Sequence, residues 1–301
     1  MFWENIKEAV TSISSNKMRS LLTMLGIIIG ISSVIIITTI GGSIQSTLTA
    51  TMNSLGGNMV QAYVEARYPE NDEDWATWEQ PEMTDSDYVT QDMIDGLIEK
   101  YPDEVTGVAA QNYLGSGTIK DDADSKNYAN VNIDGITPEY LEYMKLEMHA
   151  GRNLTKADNQ GKKRVCLIAD TMAERYFAGK DPIGETLSVA TSDGGIFDFV
   201  VVGVYVYNQA LFGKVDTSIP EKDRVTELMI PLQTCFKLQG TDRTGYDYFN
   251  LMIDPLADVN QATTDVLSYF DEMYANNKNF HVSAYNMASD LGMIKIGRAH
   301  V

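Results

Sequence analysis

The stretch RSLLTMLGIIIGISSVIIITTIGG, from Arg19 to Gly42, decides how the rest of the chain is interpreted. From Leu21 to Gly42 it carries no charged residue. A helix of that length spans roughly 33 Å, which is enough to cross a bilayer core of ~30 Å. A secretory signal has a shorter apolar region, roughly 7–15 residues, followed by a small-residue cleavage site. The stretch therefore predicts a transmembrane helix over residues 21–42 rather than a cleaved leader.

Basic residues stand on one side of this segment. Lys7, Lys17 and Arg19 precede it, and the next basic residue after it is Arg67. Because positive charge is retained on the cytoplasmic side, we expect a cytoplasmic N-terminus and an extracytoplasmic location for everything after residue 42.

The flanking residues also have helical patterns. Residues 1–20 place apolar side chains at helical spacing behind Phe2 and Trp3, which predicts an amphipathic helix on the lipid surface of the cytoplasmic side. Residues 43–57 keep an apolar stripe and end at Gly56 and Gly57, which predicts a stalk helix that continues outward. The stripe consists of Ile44, Leu48, Met52 and Leu55.

Gly26 and Gly30 form a G-x-x-x-G spacing within the apolar stretch. Two glycines on one helix face allow another helix backbone to approach closely, so they are candidate helix-packing residues. Chance spacing is the alternative, since glycine is common in membrane helices.

Composition bounds the function of the remainder. The chain has 301 residues and a net charge of −19, to which residues 1–60 contribute +1 and the remainder −20. Such an acidic region argues against nucleic acid as a partner. Roughly 240 residues remain outside the membrane segment, enough for one large or two small domains. Cys166 lies in the strand-like RVCLIA, which indicates a core residue, and a disulfide with Cys235 is not needed at this size.

The element pattern predicts an α+β fold. A helix begins at Thr84 or Asp85 and runs to about Lys100, and a long amphipathic helix in DVNQATTDVLSYFDEMYAN precedes the last strand, FHVSAY. Strands dominate between these two ends. Two short helices are expected there, one with Pro138 in its first turn and one capped by Asp170.

Signatures of chemistry are missing from the sequence. It has no G-x-x-x-x-G-K-[ST] phosphate loop and no G-x-S-x-G elbow. His149, His281 and His300 lack metal-site spacing, and the acidic loops lack the D-x-[DN]-x-[DN]-G calcium pattern. We therefore expect no catalytic, metal or cofactor-binding residues and no enzymatic activity.

Several blocks resemble MacB-type ABC transporter permeases. They are the start of the chain through LLTMLGIIIG, then VNIDGITPEYL, HAGRNLTKAD, RVCLIADTMAERYFAGKDPIGETLSV and FDFVVVGVY, in the family's order. The resemblance implies a MacB-like extracytoplasmic core domain over residues 58–286. Its ferredoxin-like part would be 58–127 and 225–286, and a β-rich insert would be 128–224. The resemblance also makes six residues structural, the three glycines being turn residues with φ > 0: Gly135, Pro138, Gly151, Arg152, Pro182 and Gly184.

The resemblance further implies a function. In this family a separate ABC ATPase drives membrane helices, and the stalk passes the motion to the extracytoplasmic domain. The chain would be a permease in the cell membrane, exporting peptides, drugs or lipid-linked substrates. It would work with a second permease copy and a membrane-fusion adaptor. The alternatives are a permease-like regulator of a cell-wall hydrolase and a membrane-anchored binding domain that works without ATP.

The two ends depart from the family pattern. Met1 stands directly before the surface helix, so the ATPase is expected on another chain. Three more membrane helices are expected after the domain, the second stalk and membrane helix starting at 287–295. Residues 296–301 read IGRAHV, which matches the translation of a common sequencing adapter. The sequence is therefore expected to be truncated there.

Overall fold

A long helix and a sheet-rich body are the two units of the computed structural model, Met1–Ser54 and Leu55–Val301. The structure describes residues 3–8, 17–54, 59–69, 75, 78–121, 126–212, 218–241 and 243–286. The predicted stalk residue Leu55 and the predicted segments 287–295 and 296–301 lie outside those ranges.

The first unit contains helix α1, residues 3–8, and helix α2, Lys17–Ser54. Within α2, Leu21–Ile40 is long and apolar enough to cross a membrane, with a mean hydropathy of 2.5. The apolar side chains of this span are exposed in the isolated chain, as a lipid-facing helix requires. Ile44, Leu48 and Met52 belong to the same uninterrupted helix.

The second unit alternates strands and short helices. Its described elements in chain order are β1 Met59–Ala66, α3 Gln91–Lys100, β2 Val105–Ala109, β3 Gln111–Lys120, β4 Tyr128–Ile136, α4 Tyr140–Tyr143, β5 Met148–Gly151, α5 Lys156–Gln160, β6 Val165–Ala169, α6 Asp170–Phe177, β7 Thr186–Thr191, β8 Ile196–Tyr205, α7 Gln209–Phe212, β9 Val225–Pro231, α8 Leu232–Leu238, β10 Tyr248–Ile253, α9 Val259–Met273 and β11 Phe280–Tyr285. Short 3₁₀ turns occur at Asp85–Asp87 and Glu221–Asp223.

Four strands from the two ends of this unit form one antiparallel sheet in the order β11-β1-β10-β2. The chain enters it as β1-α3-β2 and returns as β10-α9-β11, which is the ferredoxin-like arrangement. Helix α9 packs on this sheet because Ala262, Val266 and Phe270 recur every four residues and are fully buried. We call these elements the ferredoxin-like part.

The middle of the unit forms a seven-stranded sheet in the order β5-β8-β6-β9-β4-β3-β7. An additional β8–β7 pairing joins its two sides, so six of the strands close into a small barrel. This sheet, with its helices and α8, is the insert. The α+β prediction, with a ferredoxin-like part and an inserted β-rich part, is confirmed.

The insert is wider than the range 128–224 expected from the sequence. Strand β3 pairs with β4 from Gln111 to Lys120, and β9 lies between β4 and β6 in the same sheet. The expected boundary at 127 therefore fell on a hairpin connection, whose polar residues resemble an interdomain loop. The insert extends from Gln111 through β9 to Leu238.

Three local expectations also differ from the structure. Helix α3 begins at Gln91, with Thr90 as its cap, because Thr84 and Asp87 instead form a capping box around the short 3₁₀ turn. Pro138 precedes α4, whose first residue is Tyr140. Asp170 is the first residue of α6 rather than its cap, and its carboxylate accepts hydrogen bonds from the backbone N–H groups of Thr171 and Tyr207.

Candidate functional site

Helix α8 is shared by the two hydrophobic cores of the second unit. Leu232 and Phe236 belong to the core of the ferredoxin-like part. Cys235, in the same helical turn, belongs to the core of the insert and is fully buried. Since the cores pack to crystal-like density, a helix buried in both moves only together with both. We call this contact region, where α8 joins the two cores, the seam.

Gly135 allows α8 to sit against β4. A side-chain carbon at position 135 would lie 2.3 Å from Cβ of Cys235 and 3.3 Å from Cα of Leu232. The expected turn conformation is wrong for Gly135, because it lies within β4 and is not among the described glycines with positive φ. The close approach of a helix, rather than backbone conformation, requires glycine here.

Hydrogen bonds from Thr137 also cross the seam. Its hydroxyl accepts from the backbone N–H of Ala110 at 3.0 Å and donates to the carbonyl of Val108 at 3.1 Å. The N–H of Thr137 donates to the carbonyl of Ala110 at 3.0 Å. Thr137 is 1% exposed, so water does not compete for these bonds. They fasten the end of β4 to the chain leaving β2.

Polar and aromatic contacts on the other flank of α8 complete the seam. Nε2 of Gln233 donates to the carbonyl of Thr244 at 2.8 Å. The guanidinium of Arg243 lies between the rings of Tyr88 and Phe236, 4.4 and 4.6 Å from their centroids. Arg243 also pairs with Asp247. Because a cation is attracted to an aromatic face, these contacts stabilise the packing of α8 against the ferredoxin-like part.

The predicted structural residues of the insert meet beside β8. Gly151 and Gly184 have φ of +72° and +88°. The N–H groups of Arg152 and Gly184 donate to the carbonyls of Val202 and Val201, at 2.9 and 2.8 Å. The carbonyl of Pro182 accepts from the N–H of Glu185, closing a turn at 3.2 Å.

Close packing at this turn also explains Gly151. A side-chain carbon there would lie 2.4 Å from the carbonyl oxygen of Val202 and 2.8 Å from Cδ1 of Ile183. The carbonyl of Pro138 is tied to the same region, since it accepts from the side-chain amide of Asn153 at 2.8 Å. The two family blocks and the Pro138 turn thus form one framework.

Arg152 binds a buried carboxylate. Its guanidinium donates to Asp158, which is 1% exposed, at 2.6 Å, and the ammonium of Lys163 donates to the same carboxylate at 3.0 Å. Thr155 donates to it from both its N–H and its hydroxyl. Burial acts to raise the pKa of Asp158, but the bonds from Arg152, Thr155 and Lys163 outweigh it and hold the pKa well below its usual value. The arrangement is structural, because all acceptor directions of the carboxylate are used.

A second buried carboxyl has the opposite electrostatics. Asp134 is 4% exposed and lies on β4, one residue before Gly135. Burial raises its pKa, and a hydrogen bond from Gln111 only partly offsets the effect. Glu227 on the neighbouring strand β9 also has a raised pKa, through burial first and then through the charge of Asp134. Both groups lie on neighbouring strands of the insert.

Gly26 and Gly30 lie on α2, in the other unit. Apart from the backbone of α2 itself, no heavy atom of the described residues lies within 4 Å of the side-chain position at either glycine.

The side chains that commonly bind metals are scattered through the described ranges. Among those residues no three His, Cys, Asp or Glu side chains form a group that could hold a metal ion. Cys166 and Cys235 are free thiols, both fully buried, and burial raises the pKa of each.

The sequence analysis missed α8 and Thr137. The helix Leu232–Leu238 follows directly on β9, with Pro231 as its N-cap, and seven residues are too few to show a clear period. Leu232, Cys235 and Phe236 have the i, i+3, i+4 spacing of one apolar helix face, which was the available signal.

Comparisons with known proteins agree with this architecture. A family model described as the MacB-like periplasmic core domain matches residues 20–269. The uncharacterized ABC transporter permease YknZ of Bacillus subtilis is 32% identical over 186 residues, which are 61% of this chain and 43% of that protein. The macrolide export ATP-binding/permease protein MacB of Neisseria gonorrhoeae is 25% identical over 221 residues, 71% of this chain and 30% of that protein. The chain thus spans less than half the length of either relative.

A solved structure shows the same fold. The periplasmic region of MacB from Actinobacillus actinomycetemcomitans superposes with a TM-score of 0.51 at 17% identity. The superposition covers 81% of this chain and 95% of that one.

Proposed function

The chain belongs to the family of MacB-like periplasmic core domains, and from that membership we propose that it is the permease subunit of an ABC-type exporter or mechanotransmission complex. ATP would be hydrolysed by a separate subunit. This chain would convert the resulting motion of its membrane helix into movement of the domain that follows.

Helix α2 is the observation that carries this proposal. It runs without a break from Lys17 to Ser54, 38 residues or roughly 57 Å, and contains the membrane-crossing span. A continuous helix transmits an axial displacement from one side of a bilayer to the other, whereas a flexible linker would dissipate it. Residues 21–42 would cross the membrane and residues 43–57 would form the stalk.

The seam at α8 supports the same proposal. A domain that is pushed at one end must move as a body, and α8 ties the ferredoxin-like part to the insert through both cores. The framework of Gly151, Arg152, Pro182 and Gly184 keeps the turns of the insert fixed against β8. These residues would be structural supports for transmission rather than ligands.

The location of the chain is inferred from its charge pattern, and its partners are inferred from the family resemblance. The basic residues before the span would keep the N-terminus in the cytoplasm, and the second unit would be extracytoplasmic. The complex would contain a second permease copy, a separate ABC ATPase and a membrane-fusion adaptor. Export would concern peptides, drugs or lipid-linked molecules, in keeping with the resemblance and with the macrolide exporters among its relatives.

Isolation of the complex tests the proposal. The tagged full-length chain is purified from its native membranes in mild detergent, and the co-purifying proteins are identified and assayed for vanadate-sensitive ATP hydrolysis. We expect a stoichiometric ABC ATPase whose activity is absent from the permease alone. A stoichiometric cell-wall hydrolase with the ATPase would favour the regulator, and the absence of any ATPase would refute the transmission role.

A further inference from the structure

A cleft separates α3 of the ferredoxin-like part from α5 of the insert. It encloses about 310 Å³ and is bounded at its base by the Pro138 turn and the start of α8. Its lining is mixed polar and apolar, and neither Gly151 nor Gly184 belongs to it. The charged and amide side chains relevant below are Asp92, Asp95, Glu139, Lys156, Lys162 and Gln233.

The two walls of the cleft carry opposite charge. Asp92 and Asp95 project from α3, and Glu139 stands beside them before α4. Burial raises the pKa of Glu139, the charge of Lys156 acts against this shift, and the charge of Asp95 adds to it, so Glu139 is influenced by both walls. Lys156 and Lys162 belong to the opposite wall. The ammonium of Lys156 lies 3.9 Å from a carboxylate oxygen of Glu139, so one long ion pair connects the two walls.

Gln233 adds an unused acceptor between the walls. It is 8% exposed and lines the cleft at the first turn of α8. Its Nε2 is bonded to Thr244, whereas its buried Oε1 accepts no hydrogen bond within the described part of the chain. A buried acceptor is normally paired, so this oxygen calls for a donor brought by something else.

We propose that the cleft binds a whole short peptide, of dipeptide length, in which the terminal ammonium and the terminal carboxylate are separated by an amide. The ammonium pairs with Asp95 and Glu139, the carboxylate pairs with Lys156 and Lys162, and the amide N–H donates to Oε1 of Gln233. Charge-assisted bonds at both ends and an amide acceptor between them select this chemistry over a simple cation or anion.

This inference goes beyond the proposed function and does not depend on it, because a binding cleft requires no ATPase. Its place does have a consequence for that function. The cleft lies between the two parts that α8 joins, so a bound peptide would bridge them and change the stiffness of the seam.

Calorimetric titration of the full-length chain in nanodiscs tests the proposal with four related probes. Glycylglycine carries all three groups. N-acetylglycylglycine lacks the ammonium, glycylglycinamide lacks the carboxylate, and glycine lacks the amide. We expect saturable binding of glycylglycine and an affinity lower by about tenfold or more for the other three probes. Two of them lose a charge-assisted bond, and glycine loses the amide bond to Gln233.

Matched variants assign the binding to the cleft. Asp95→Asn and Lys162→Gln should each weaken glycylglycine binding by about tenfold. The controls Glu174→Gln on α6 and Lys237→Gln on α8 make the same charge changes outside the cleft. They should leave the affinity for glycylglycine unchanged. Circular dichroism melting of each variant confirms that it folds. No binding of glycylglycine, equal binding of all four probes, or equal loss in the control variants would overturn the proposal.

Discussion

Gly135 and Cys235 touch at the point where α8 crosses β4, with room between them for a hydrogen atom but not for a methyl group. The contact joins a strand of the insert to a helix whose neighbouring residues lie in the core of the ferredoxin-like part. The two parts can approach this closely because residue 135 is a glycine.

Replacing Gly135 with valine should destabilise the second unit. The new side chain would overlap Cys235 and the backbone of α8, and overpacking of this kind costs typically about 1–3 kcal/mol. Chemical denaturation followed by tyrosine and tryptophan fluorescence measures the loss. Ala190→Val adds bulk at an exposed position of β7 and should change stability by less than about 0.5 kcal/mol. Equal stability of the two variants would contradict the steric role of Gly135.

Asp158 should make stability fall in acid. Its pKa is held low in the folded chain, so its contribution is complete above the unfolded value of about 3.9 and is lost as pH falls through the folded value. Asp158→Asn should be less stable at pH 7 by about 1–3 kcal/mol, since bonds to a buried charge are lost. Its stability should change less than that of the wild type below pH ~4.

Urea titrations at pH 7, 5 and 3.5 measure both effects. Asp181→Asn removes an exposed carboxylate and serves as the control. If the Asp158→Asn and wild-type curves stay parallel through the acid range, the carboxylate does not hold the charge assigned to it.

Asp134→Asn should change stability in the opposite direction to Asp158→Asn, because it should stabilise the folded chain at pH 7. Burial raises the pKa of Asp134 in the folded chain, so folding becomes less favourable as pH rises from the unfolded value of about 3.9 through the folded one. Asparagine is isosteric and can still accept the bond from Gln111. At pH 7 the variant should gain on the order of 1 kcal/mol, and the gain should vanish below pH ~4. A gain independent of pH would point to a cause other than the buried charge.

Membrane orientation can be read from two cysteine substitutions. Leu256 is 97% exposed, so Leu256→Cys should react with an impermeant maleimide on intact cells, whereas Ser15→Cys should react only after lysis. The native thiols of Cys166 and Cys235 are fully buried and should contribute no background. The reverse labelling pattern would place the second unit in the cytoplasm and reject the proposed topology.

Gly30→Leu should weaken assembly of the full-length protein. Both Gly26 and Gly30 face open space in the single chain, and a bulky side chain at this face prevents close helix approach. Cross-linking between two differently tagged copies in native membranes measures assembly, and Ile31→Leu serves as a control on a different helix face. Normal cross-linking of Gly30→Leu would mean that the glycine spacing is incidental.

Periodicity and resemblance together were sufficient to predict the membrane helix and the α+β class. The spacing in α9 and the β-branched run in β8 lie in long elements, where the pattern dominates. The boundary of the insert was missed because strand pairing is non-local. The polar residues after Lys120 have the same composition in a hairpin connection as in an interdomain loop, and only the β3–β4 register distinguishes the two.

The framework residues were identified from family blocks, but not all for the right reason. Gly151 and Gly184 do adopt positive φ, whereas Gly135 is required by a helix contact that no local pattern encodes. The opposite charges of the two cleft walls could not be predicted from the sequence either. Asp95 on α3 and Lys162, which follows α5, line the same cleft only because the two parts pack together.

The interrupted ferredoxin-like sheet dictates an order of assembly during synthesis. Strands β1 and β2 leave the ribosome first, but their partner β10 follows only after the whole insert, and β11 later still. The early β-α-β half must therefore wait with unpaired strand edges, while the insert already has every strand it needs. Once the insert closes, it brings the ends of β2 and β10 together and shortens the loop that the remaining sheet must close. Nascent chains arrested near Leu238 should accordingly contain a protease-resistant insert and an exposed, chaperone-dependent N-terminal half.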